Sequence, residues 1–225
     1  MTKPIAIAID GPAGAGNSTI ARILAAQLGY LYVDTGALYR TVGYAALCRG
    51  IAPNDEAAVA PMLDTITVEL THQDGVQQVW LDGNNVNGLI RTPEVSMAAS
   101  AISALPVVRQ YLLHLQQDTA RKQSVIMDGR DIGTVVLPFA DVKIFLSATA
   151  EDRARRRFEE LQEKGVAATY DDVLRDMKER DYNDSHRAAA PLRPAEDAIC
   201  LDTTGNTLEE SVTLLKNTIL NALEG

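Results

Sequence analysis

Apolar residues follow two spacings along the chain, and the change from one to the other predicts strands and helices in turn. A short apolar run over residues 4–9 predicts a buried strand, and the helical spacing that starts at Ser18 predicts a helix ending at Gly29. Residues 30–34 predict a second buried strand and residues 35–50 a second helix. Strand, glycine-rich turn and helix in this order are the setting that a phosphate-binding loop requires.

The middle of the chain predicts short antiparallel strands. Residues 65–71 and 76–83 have the composition of strands, and the Asp-Gly dipeptide at 74–75 between them is a strong signal for a hairpin turn. A second turn is predicted at 82–84. We therefore predict a small antiparallel insert over residues 65–91.

Helical patterns lie on both sides of this insert, and strands and helices alternate again after it. A short helix is predicted from Asn54, and Thr92 followed by Pro93 predicts another that continues, with a break near Pro106, as far as Arg121. The remaining predicted elements are strands at 124–128, 142–147 and 198–202, charged helices at 150–165 and 170–187, and a last helix opened by Thr207 and Glu210. This alternation implies an α/β fold, a five-stranded parallel sheet with helices on both faces.

The overall composition is that of an ordinary globular chain. The 225 residues are enough for one full hydrophobic core, so we predict a single domain over 1–225. With 46% hydrophobic and 23% charged residues, the chain falls among globular proteins and not among disordered ones. The net charge of −9 disfavours a bulk nucleic-acid binder, because phosphate backbones are bound through basic surface. A local basic site for a small polyanion remains open.

Further features favour a cytoplasmic protein. Cys48 and Cys200 are far apart and form no metal or redox motif, so we interpret them as reduced packing residues. The apolar run at 5–9 is short for a signal peptide, and no run approaches the ~18 apolar residues of a membrane span. We expect neither nucleic acid nor a membrane as a partner.

The stretch IDGPAGAGNST, residues 9–19, differs at one position from the phosphate-loop pattern G-x-x-x-x-G-K-[ST]. Gly11, Gly16 and Ser18 fit the pattern, and Asn17 stands where the pattern has lysine. Glycines let consecutive backbone N–H groups converge on a polyanion, and the following helix presents its positive end, so holding phosphate needs no lysine. The lysine's charge instead follows the phosphoryl group that is transferred. The alternative for the loop alone is a glycine-rich turn that binds no ligand.

Arginines follow the predicted strands at the end where a parallel sheet forms its ligand crevice. Arg40 comes after the second strand and Arg130 after the strand SVIMD. Each can bind a phosphate, or remain a surface or ion-paired arginine. Arg180, Asp184 and Arg187 are spaced i, i+4 and i+7, which places them on one helix face. They form either a site or a solvated ion pair with a spare arginine.

Together these motifs resemble those of the bacterial cytidylate kinases, nucleoside monophosphate kinases that transfer the ATP γ-phosphoryl group to CMP or dCMP. The resemblance covers nearly the whole length and runs in family order through IAIDGPAGAG, DTGALYR, IRTPEVSMAASAISALPVVR, DGRDIGTVV, VKIFLSATAEDRARRR, LQEKG, KERD and RAAAPL. It implies a P-loop nucleoside monophosphate kinase fold. In that fold, residues 65–91 lie on the acceptor side and residues 148–165 form an arginine-rich lid over ATP, although acidic neighbours of DRARRR also suit a solvated helix face.

The resemblance also implies the roles of individual residues. The residues implied to bind ATP are Gly11, Pro12, Ala13, Gly14, Ala15, Gly16, Asn17, Ser18 and Thr19. Those implied to bind the acceptor are Thr35, Arg40, Ser100, Arg109, Arg130, Asp131, Arg180, Asp184 and Arg187. Those implied to act in catalysis are Asn17 in the lysine position, Arg130, Arg153 and Arg157. Mg²⁺ is implied nearest Ser18, with its waters held by Asp10 and Asp128.

The implied reaction is ATP plus CMP or dCMP giving ADP plus CDP or dCDP, by in-line attack and without a covalent intermediate. The family pattern has lysine in the loop, so Asn17 predicts an enzyme of low activity. The rival interpretation is an inactive nucleotide-binding protein of the same fold. A P-loop kinase for another small acceptor is opposed by the joint presence of Ser100, Arg109 and Asp131. We expect a monomer.

Overall fold

The computed structural model describes residues 3–73 and 75–224. Its strands are β1 (Ala6–Asp10), β2 (Leu31–Asp34), β3 (Val68–Gln73), β4 (Val76–Leu81), β5 (Asn84–Asn85), β6 (Val125–Gly129), β7 (Val142–Ser147) and β8 (Ile199–Asp202). Its α-helices are α1 (Asn17–Leu28), α2 (Thr35–Cys48), α3 (Glu56–Leu63), α4 (Pro93–Ile102), α5 (Pro106–Lys122), α6 (Ala150–Glu163), α7 (Tyr170–His186) and α8 (Leu208–Glu224).

The main sheet has five parallel strands in the order β2-β6-β1-β7-β8, which confirms the predicted α/β fold. Because the strands all run the same way, their carboxyl ends meet at one edge of the sheet. The register places Asp10 beside Gly129 and Asp34 beside Asp128. Aspartates at or next to the ends of three neighbouring strands therefore lie close together at this edge.

Helices cover both faces of the sheet, because alternate residues of each buried strand point to opposite sides. On one face, Ile7 of β1 packs in a core with Leu24 of α1 and Leu215 of α8. On the other face, Ala8 of β1 packs in a core with Ala120 of α5. Every residue of β1 is buried, as expected of a strand covered on both sides.

The strands β3, β4 and β5 form a separate antiparallel sheet, as predicted. This small sheet is tied to the rest of the molecule, because Val79 and Leu81 share a core with α2 and α5. The predicted turn at 82–84 is present, and its Asp82 has a φ of 51° and its Gly83 a φ of 75°. In the predicted hairpin turn, Asp74 lies outside the described residues and Gly75 has a φ of 75°.

Two helical features differ from the sequence-based expectations. Asp55, and not Asn54, caps α3, because the Asp55 carboxylate accepts the Ala58 N–H at 3.2 Å. A π-helical turn, Ile132–Val136, follows β6 and was not predicted. Its first two N–H groups are held by a side chain from β1, which is a contact that no local sequence signal reveals.

The interpretation of the cysteines as packing residues is wrong. Cys48 is the last residue of α2 and Cys200 lies on the edge strand β8, and both are exposed. Neither position faces one of the cores. Within the described residues, no helix is long and apolar enough to cross a membrane.

Candidate active site

A cleft opens at the carboxyl edge of the main sheet, between the first turns of α1 and α2 on one side and α4 and α7 on the other. It encloses about 680 Å³, counting the solvent at its mouth. It is lined by Ser18, Asp34, Thr35, Gly36, Tyr39, Arg40, Ser96, Ala99, Ser100, Ser103, Asp128, Gly129, Arg130, Asp131, Arg180 and Asp184. Strand ends and helix amino termini thus converge on one space, as in other open parallel sheets.

The loop between β1 and α1 requires glycine at three of its positions. Gly14 and Gly16 have φ values of 77° and 96°, which side chains rarely adopt. A Cβ at Gly11 would lie 2.2 Å from the carbonyl oxygen of Leu146. Because α1 begins at Asn17, its first N–H groups have no partners within the helix and point into the loop. The loop therefore presents backbone donors to an anion.

Asn17 occupies the lysine position of this loop as a buried neutral amide. Asn17 is 5% exposed, and neither its Oδ1 nor its Nδ2 has a hydrogen-bond partner among the described residues. Both atoms lie about 3 Å from where a Cβ would stand on Gly11 (2.9 and 3.0 Å), so the side chain folds over the loop. Buried polar atoms are normally paired, and these two are free for groups of a bound nucleotide or for water.

Ser18 and Asp128 form the oxygen-rich part of the loop side. The Ser18 hydroxyl donates to Asp128 Oδ2 at 2.6 Å, and the Tyr32 hydroxyl donates to Asp128 Oδ1 at 2.8 Å. Thr35 Oγ1 donates to the Asp128 carbonyl at 2.8 Å. Burial, together with the nearby charge of Asp34, raises the pKa of Asp128 to about 7.

A hydroxyl beside a carboxylate fits Mg²⁺, which prefers oxygen ligands and keeps several waters and phosphate oxygens around it. The described residues contain no group of three or more histidine, cysteine, aspartate or glutamate side chains that could hold a metal by themselves. Ser18 and Asp128 therefore suit a cation that is held mainly by phosphates.

The resemblance implies that Asp10 holds water bound to Mg²⁺, but both of its carboxylate oxygens are engaged elsewhere. Its two oxygens accept the N–H groups of Ile132 and Gly133, each at 2.7 Å, at the start of the π-helical turn. Burial raises the pKa of Asp10 to about 7, against the lowering effect of these two hydrogen bonds. Asp10 joins β1 to the turn after β6, which carries Asp131 into the cleft.

On the other side of the cleft, the Asp34 carboxylate accepts three donors, two from α2 and one from the end of the insert. Oδ1 caps α2 by accepting the Ala37 N–H at 2.9 Å. Oδ2 accepts Arg40 at 2.8 Å and Arg91 at 3.2 Å. Arg91 was not predicted; its side chain is 67% exposed and reaches Asp34 from the end of the insert. The Nε of Arg40 is buried without a partner in the described part of the chain.

Arg130 and Arg180 approach the same space from opposite walls. Arg130 Nε donates to Asp184 at 2.9 Å, which brings β6 and α7 together. Arg180 has a buried Nε with no hydrogen-bond partner among the described residues. Burial, and then the positive charges of Arg130 and Arg40, lower the pKa of Arg180 to about 10. The three guanidinium groups therefore repel one another.

Further along the cleft, Asp131 lies between two buried arginines. Arg109 and Arg187 each form an ion pair with its carboxylate, the latter at 3.4 Å. Ser103 holds both arginines in place: its carbonyl accepts Arg109 at 2.9 Å and its hydroxyl accepts Arg187 at 3.3 Å. Ser100 lines the cleft one helical turn away on the same helix face. Seven of the nine predicted acceptor residues thus line the cleft, and the other two, Arg109 and Arg187, contact it through Asp131.

The two predicted lid arginines of α6 are placed differently. Arg153 is 4% exposed and donates to the Ala13 carbonyl of the loop at 2.8 Å and to Asp181 of α7. Arg157 has a side chain 47% exposed and pairs with Glu160 at 3.0 Å, away from the loop. Only the first of the two therefore touches the phosphate loop.

Comparisons with known proteins show which family the chain is similar to. The profile of the cytidylate kinase family matches residues 7–221. The chain is 53% identical over 208 residues to a cytidylate kinase of Caldicellulosiruptor bescii, with 92% of each chain covered. It is 52% identical over 212 residues to a cytidylate kinase of Desulfitobacterium hafniense, covering 94% of this chain and 91% of that protein.

The chain belongs to the cytidylate kinase family. Family membership indicates an enzyme that phosphorylates CMP, with ATP as co-substrate. A solved structure of an uncharacterised protein from Eubacterium ventriosum has a similar fold, with 12% identity, a TM-score of 0.51, and 96% of this chain and 98% of that chain covered. At that identity the likeness concerns the fold alone.

Several residues that line the cleft or contact the side chains around it were not predicted from the sequence. They are Tyr32, Gln77, Arg91, Ser103 and Asp181. Ser103 carries a usable signal, because it lies three residues from Ser100 on the same predicted helix. The others act through contacts between elements distant in sequence, and each type is also common on ordinary surfaces.

Proposed function

We propose that this protein transfers the ATP γ-phosphoryl group to CMP or dCMP, and that Asn17 makes the transfer slow. The observation that carries the proposal is a cleft lined by three arginines, with three more paired to its aspartates, beside a glycine-rich phosphate loop with no lysine. The six are Arg40, Arg91, Arg109, Arg130, Arg180 and Arg187. Direct transfer needs positioning and charge neutralisation but no nucleophilic side chain.

The acceptor phosphate is assigned to the space between Arg40, Arg130 and Arg180. The unpartnered Nε atoms of Arg40 and Arg180 support this assignment, because a buried donor without an acceptor is costly. The lowered pKa of Arg180 also supports it, since a dianion would relieve the repulsion among these cations. Thr35 closes the sheet side of this space through its bond to the end of β6.

The cytosine is assigned to Asp131, Arg109 and Ser100. Cytosine presents an amino donor beside acceptor atoms, and Asp131 supplies an acceptor while Arg109 and Ser100 supply donors. In the described structure Arg109 and Arg187 both form ion pairs with the Asp131 carboxylate. Cytosine can bind Asp131 only if one of these ion pairs is loosened. Asp184 is assigned to the sugar hydroxyls, where Arg130 now lies.

On the loop side, residues 11–19 would hold the ATP phosphates through backbone N–H groups and the positive end of α1. Ser18 and Asp128 would hold Mg²⁺, which neutralises charge on the ATP phosphates when bound. Asn17 offers one short neutral amide in place of a mobile charge. Arg153 is a candidate to supply part of the missing charge, because its guanidinium already reaches the Ala13 carbonyl.

We further propose that Arg157 acts only after leaving Glu160, and that the enzyme acts as a monomer. The rival proposal, nucleotide binding without turnover, is favoured by the unpaired buried amide of Asn17. The two proposals differ in whether the protein forms CDP.

A coupled assay for CDP formation, together with calorimetry of CMP and Mg·ATP, separates these proposals. We expect both nucleotides to bind and CDP to form slowly. Binding of both nucleotides with no CDP above the uncatalysed rate would support the inactive protein. If CMP does not bind, the assignment of its phosphate and base to this cleft is wrong.

A further inference from the structure

The edge of β2 is held by side chains in place of a strand. β2 is the outermost strand of the main sheet, with β6 on one side. Edge strands leave backbone N–H and C=O groups unpaired. Here His72 bonds the Tyr32 carbonyl through Nε2 at 3.0 Å. Gln77 Oε1 accepts the Asp34 N–H at 2.8 Å, and Gln77 Nε2 donates to the Asp34 carbonyl at 3.1 Å.

The geometry of the hairpin makes this docking specific. His72 and Gln77 are directly opposed in the ladder between β3 and β4, so their side chains leave the hairpin next to each other. Tyr32 and Asp34 are two residues apart in β2, and alternate residues direct their backbone groups to the same edge. The Gln77 amide exchanges with Asp34 the same two hydrogen bonds that an opposed residue of an antiparallel strand would exchange.

Asp34 is the point where this docking meets the acceptor cleft. Its carboxylate accepts Arg40 at 2.8 Å and Arg91 at 3.2 Å, and it also caps α2. A shift of the Asp34 backbone would therefore move the Arg40 guanidinium. Gln77 touches only the backbone of Asp34, so its influence on the cleft must pass through that residue.

We propose that Gln77, assisted by His72, is a positioning residue of the acceptor-phosphate site. Its side-chain amide fixes Asp34, and Asp34 fixes Arg40 against the acceptor phosphate. This inference rests on the proposed function, in which Arg40 binds that phosphate. Because the phosphate loop lies between β1 and α1 and the Gln77 amide contacts only β2, Gln77 should affect affinity for CMP and leave affinity for ATP unchanged.

The test compares Gln77→Met with Gln73→Met, an equal substitution at an exposed position of the same hairpin. Calorimetry measures the Kd of CMP and of Mg·ATP, and hydrogen exchange measures protection of the Asp34 amide. We expect Gln77→Met to raise the Kd of CMP about two- to thirtyfold, the range for residues that act on a site through a neighbour. The Kd of ATP should stay within about twofold, and the Asp34 amide should exchange faster. Gln73→Met should change none of these.

His72→Leu removes only one of the three contacts and should raise the Kd of CMP in the same direction by a smaller factor. It carries the test if Gln77→Met does not fold. Unchanged CMP affinity with faster exchange of the Asp34 amide would overturn the inference. So would a parallel loss of CMP and ATP affinity with a lower Tm, because that is the result of a merely structural role. Failure of the proposed function has a separate signature: the parent chain itself binds no CMP, and the inference then falls with it.

Discussion

In the acceptor half of the cleft the buried aspartates lie against arginines, whereas in the loop half the buried aspartates are held by hydroxyl and backbone N–H groups. The acceptor aspartates are Asp34, Asp131 and Asp184. In the loop half, Asp10 accepts two backbone N–H groups, and Asp128 accepts the hydroxyls of Ser18 and Tyr32. Burial raises the pKa of both loop-side carboxyls to about 7.

This difference separates holding a phosphate from moving one. Backbone N–H groups and a helix end are fixed dipoles, so they can hold the phosphates of ATP but cannot follow the group that leaves. The acceptor half has cations in excess and is prepared for a dianion before the dianion arrives. On the proposed function, the chain would combine an acceptor site that has its cations with a donor site that lacks the loop lysine.

The sharpest way to break this comparison is to restore the charge on the loop side. Asn17→Lys should raise kcat at least about a hundredfold, because even one preorganised donor contributes about 10²–10³ in rate. Affinity for ATP should change less. Asn17→Gln is the control, because it lengthens the side chain without adding charge and should restore little. Steady-state CDP formation measures all three proteins, and equal kcat values for parent and Asn17→Lys would contradict this account of the loop.

Removing a cation from the acceptor half should trade function for stability. Arg180→Met should raise the Kd of CMP about 10- to 100-fold, the value of a charge-assisted hydrogen bond. The same change should leave Tm unchanged or higher, because the pKa of Arg180 is lowered by burial and by Arg130. Arg175→Met on the same helix is the control, since Arg175 makes only exposed ion pairs. Calorimetry and thermal unfolding check both; an unchanged Kd would place the phosphate elsewhere.

Base choice tests the far end of the acceptor half. CMP and dCMP should bind well above UMP, AMP and GMP, because uracil puts a carbonyl and a ring N–H where cytosine has an amino group and an acceptor. Each buried mismatch costs about 1–3 kcal/mol. Asp131→Asn should reduce the preference for CMP over UMP. Calorimetry that gives equal affinities for CMP and UMP in the parent chain would remove the assignment of Asp131, Arg109 and Ser100 to the base.

The loop-side carboxyls predict a pH dependence of stability. Burial raises the pKa of Asp10 from 3.8 to about 7 in the folded protein, so folding takes up a proton between these values. The free energy of unfolding should therefore fall as pH rises from about 4 to 7, by at most about 4 kcal/mol from this group. Asp10→Asn should flatten the slope, although it loses one acceptor for the N–H groups of Ile132 and Gly133. Urea unfolding at pH 5 and pH 8 measures how the free energy of unfolding changes with pH. The same change in the parent and in Asp10→Asn would show that Asp10 does not take up this proton.

Much of the fold and part of the cleft follow from the sequence, for definite physical reasons. Strand β1 and helix α1 are continuous in the chain, so their apolar spacing and glycines predict both elements and the loop between them. The turn at 82–84 is likewise local. The spacing of Arg180 and Asp184 needs only one helix, whereas Arg187, predicted on the same helix, lies just past the end of α7 in extended backbone.

The contacts that complete the site depend on residues distant in the chain. Gln77 reaches Asp34 across 43 positions, and Arg153 reaches Ala13 across 140. The π-helical turn exists because Asp10 holds it from another strand. Their residue types also suit an exposed surface, so no periodicity or spacing reveals these partners.

The smallest expected effect is a loss of kcat when an arginine of the predicted lid helix α6 is replaced. It tests whether α6 supplies charge to the loop half of the cleft. Arg157→Ala should lower kcat less than tenfold and leave Tm unchanged, because Arg157 is half exposed and its pair with Glu160 is worth only about 0.2–1 kcal/mol. Arg153→Ala should lower both kcat and Tm, since it leaves Asp181 and the Ala13 carbonyl without their buried partner. Steady-state kinetics and thermal unfolding of the two variants, each also in the Asn17→Lys chain, provide the measurement. If Arg153 supplies part of the missing charge, its loss should cost more in the parent than beside a restored lysine. Equal losses of kcat for Arg153→Ala and Arg157→Ala would mean that α6 moves enough on binding ATP to bring Arg157 to the phosphates.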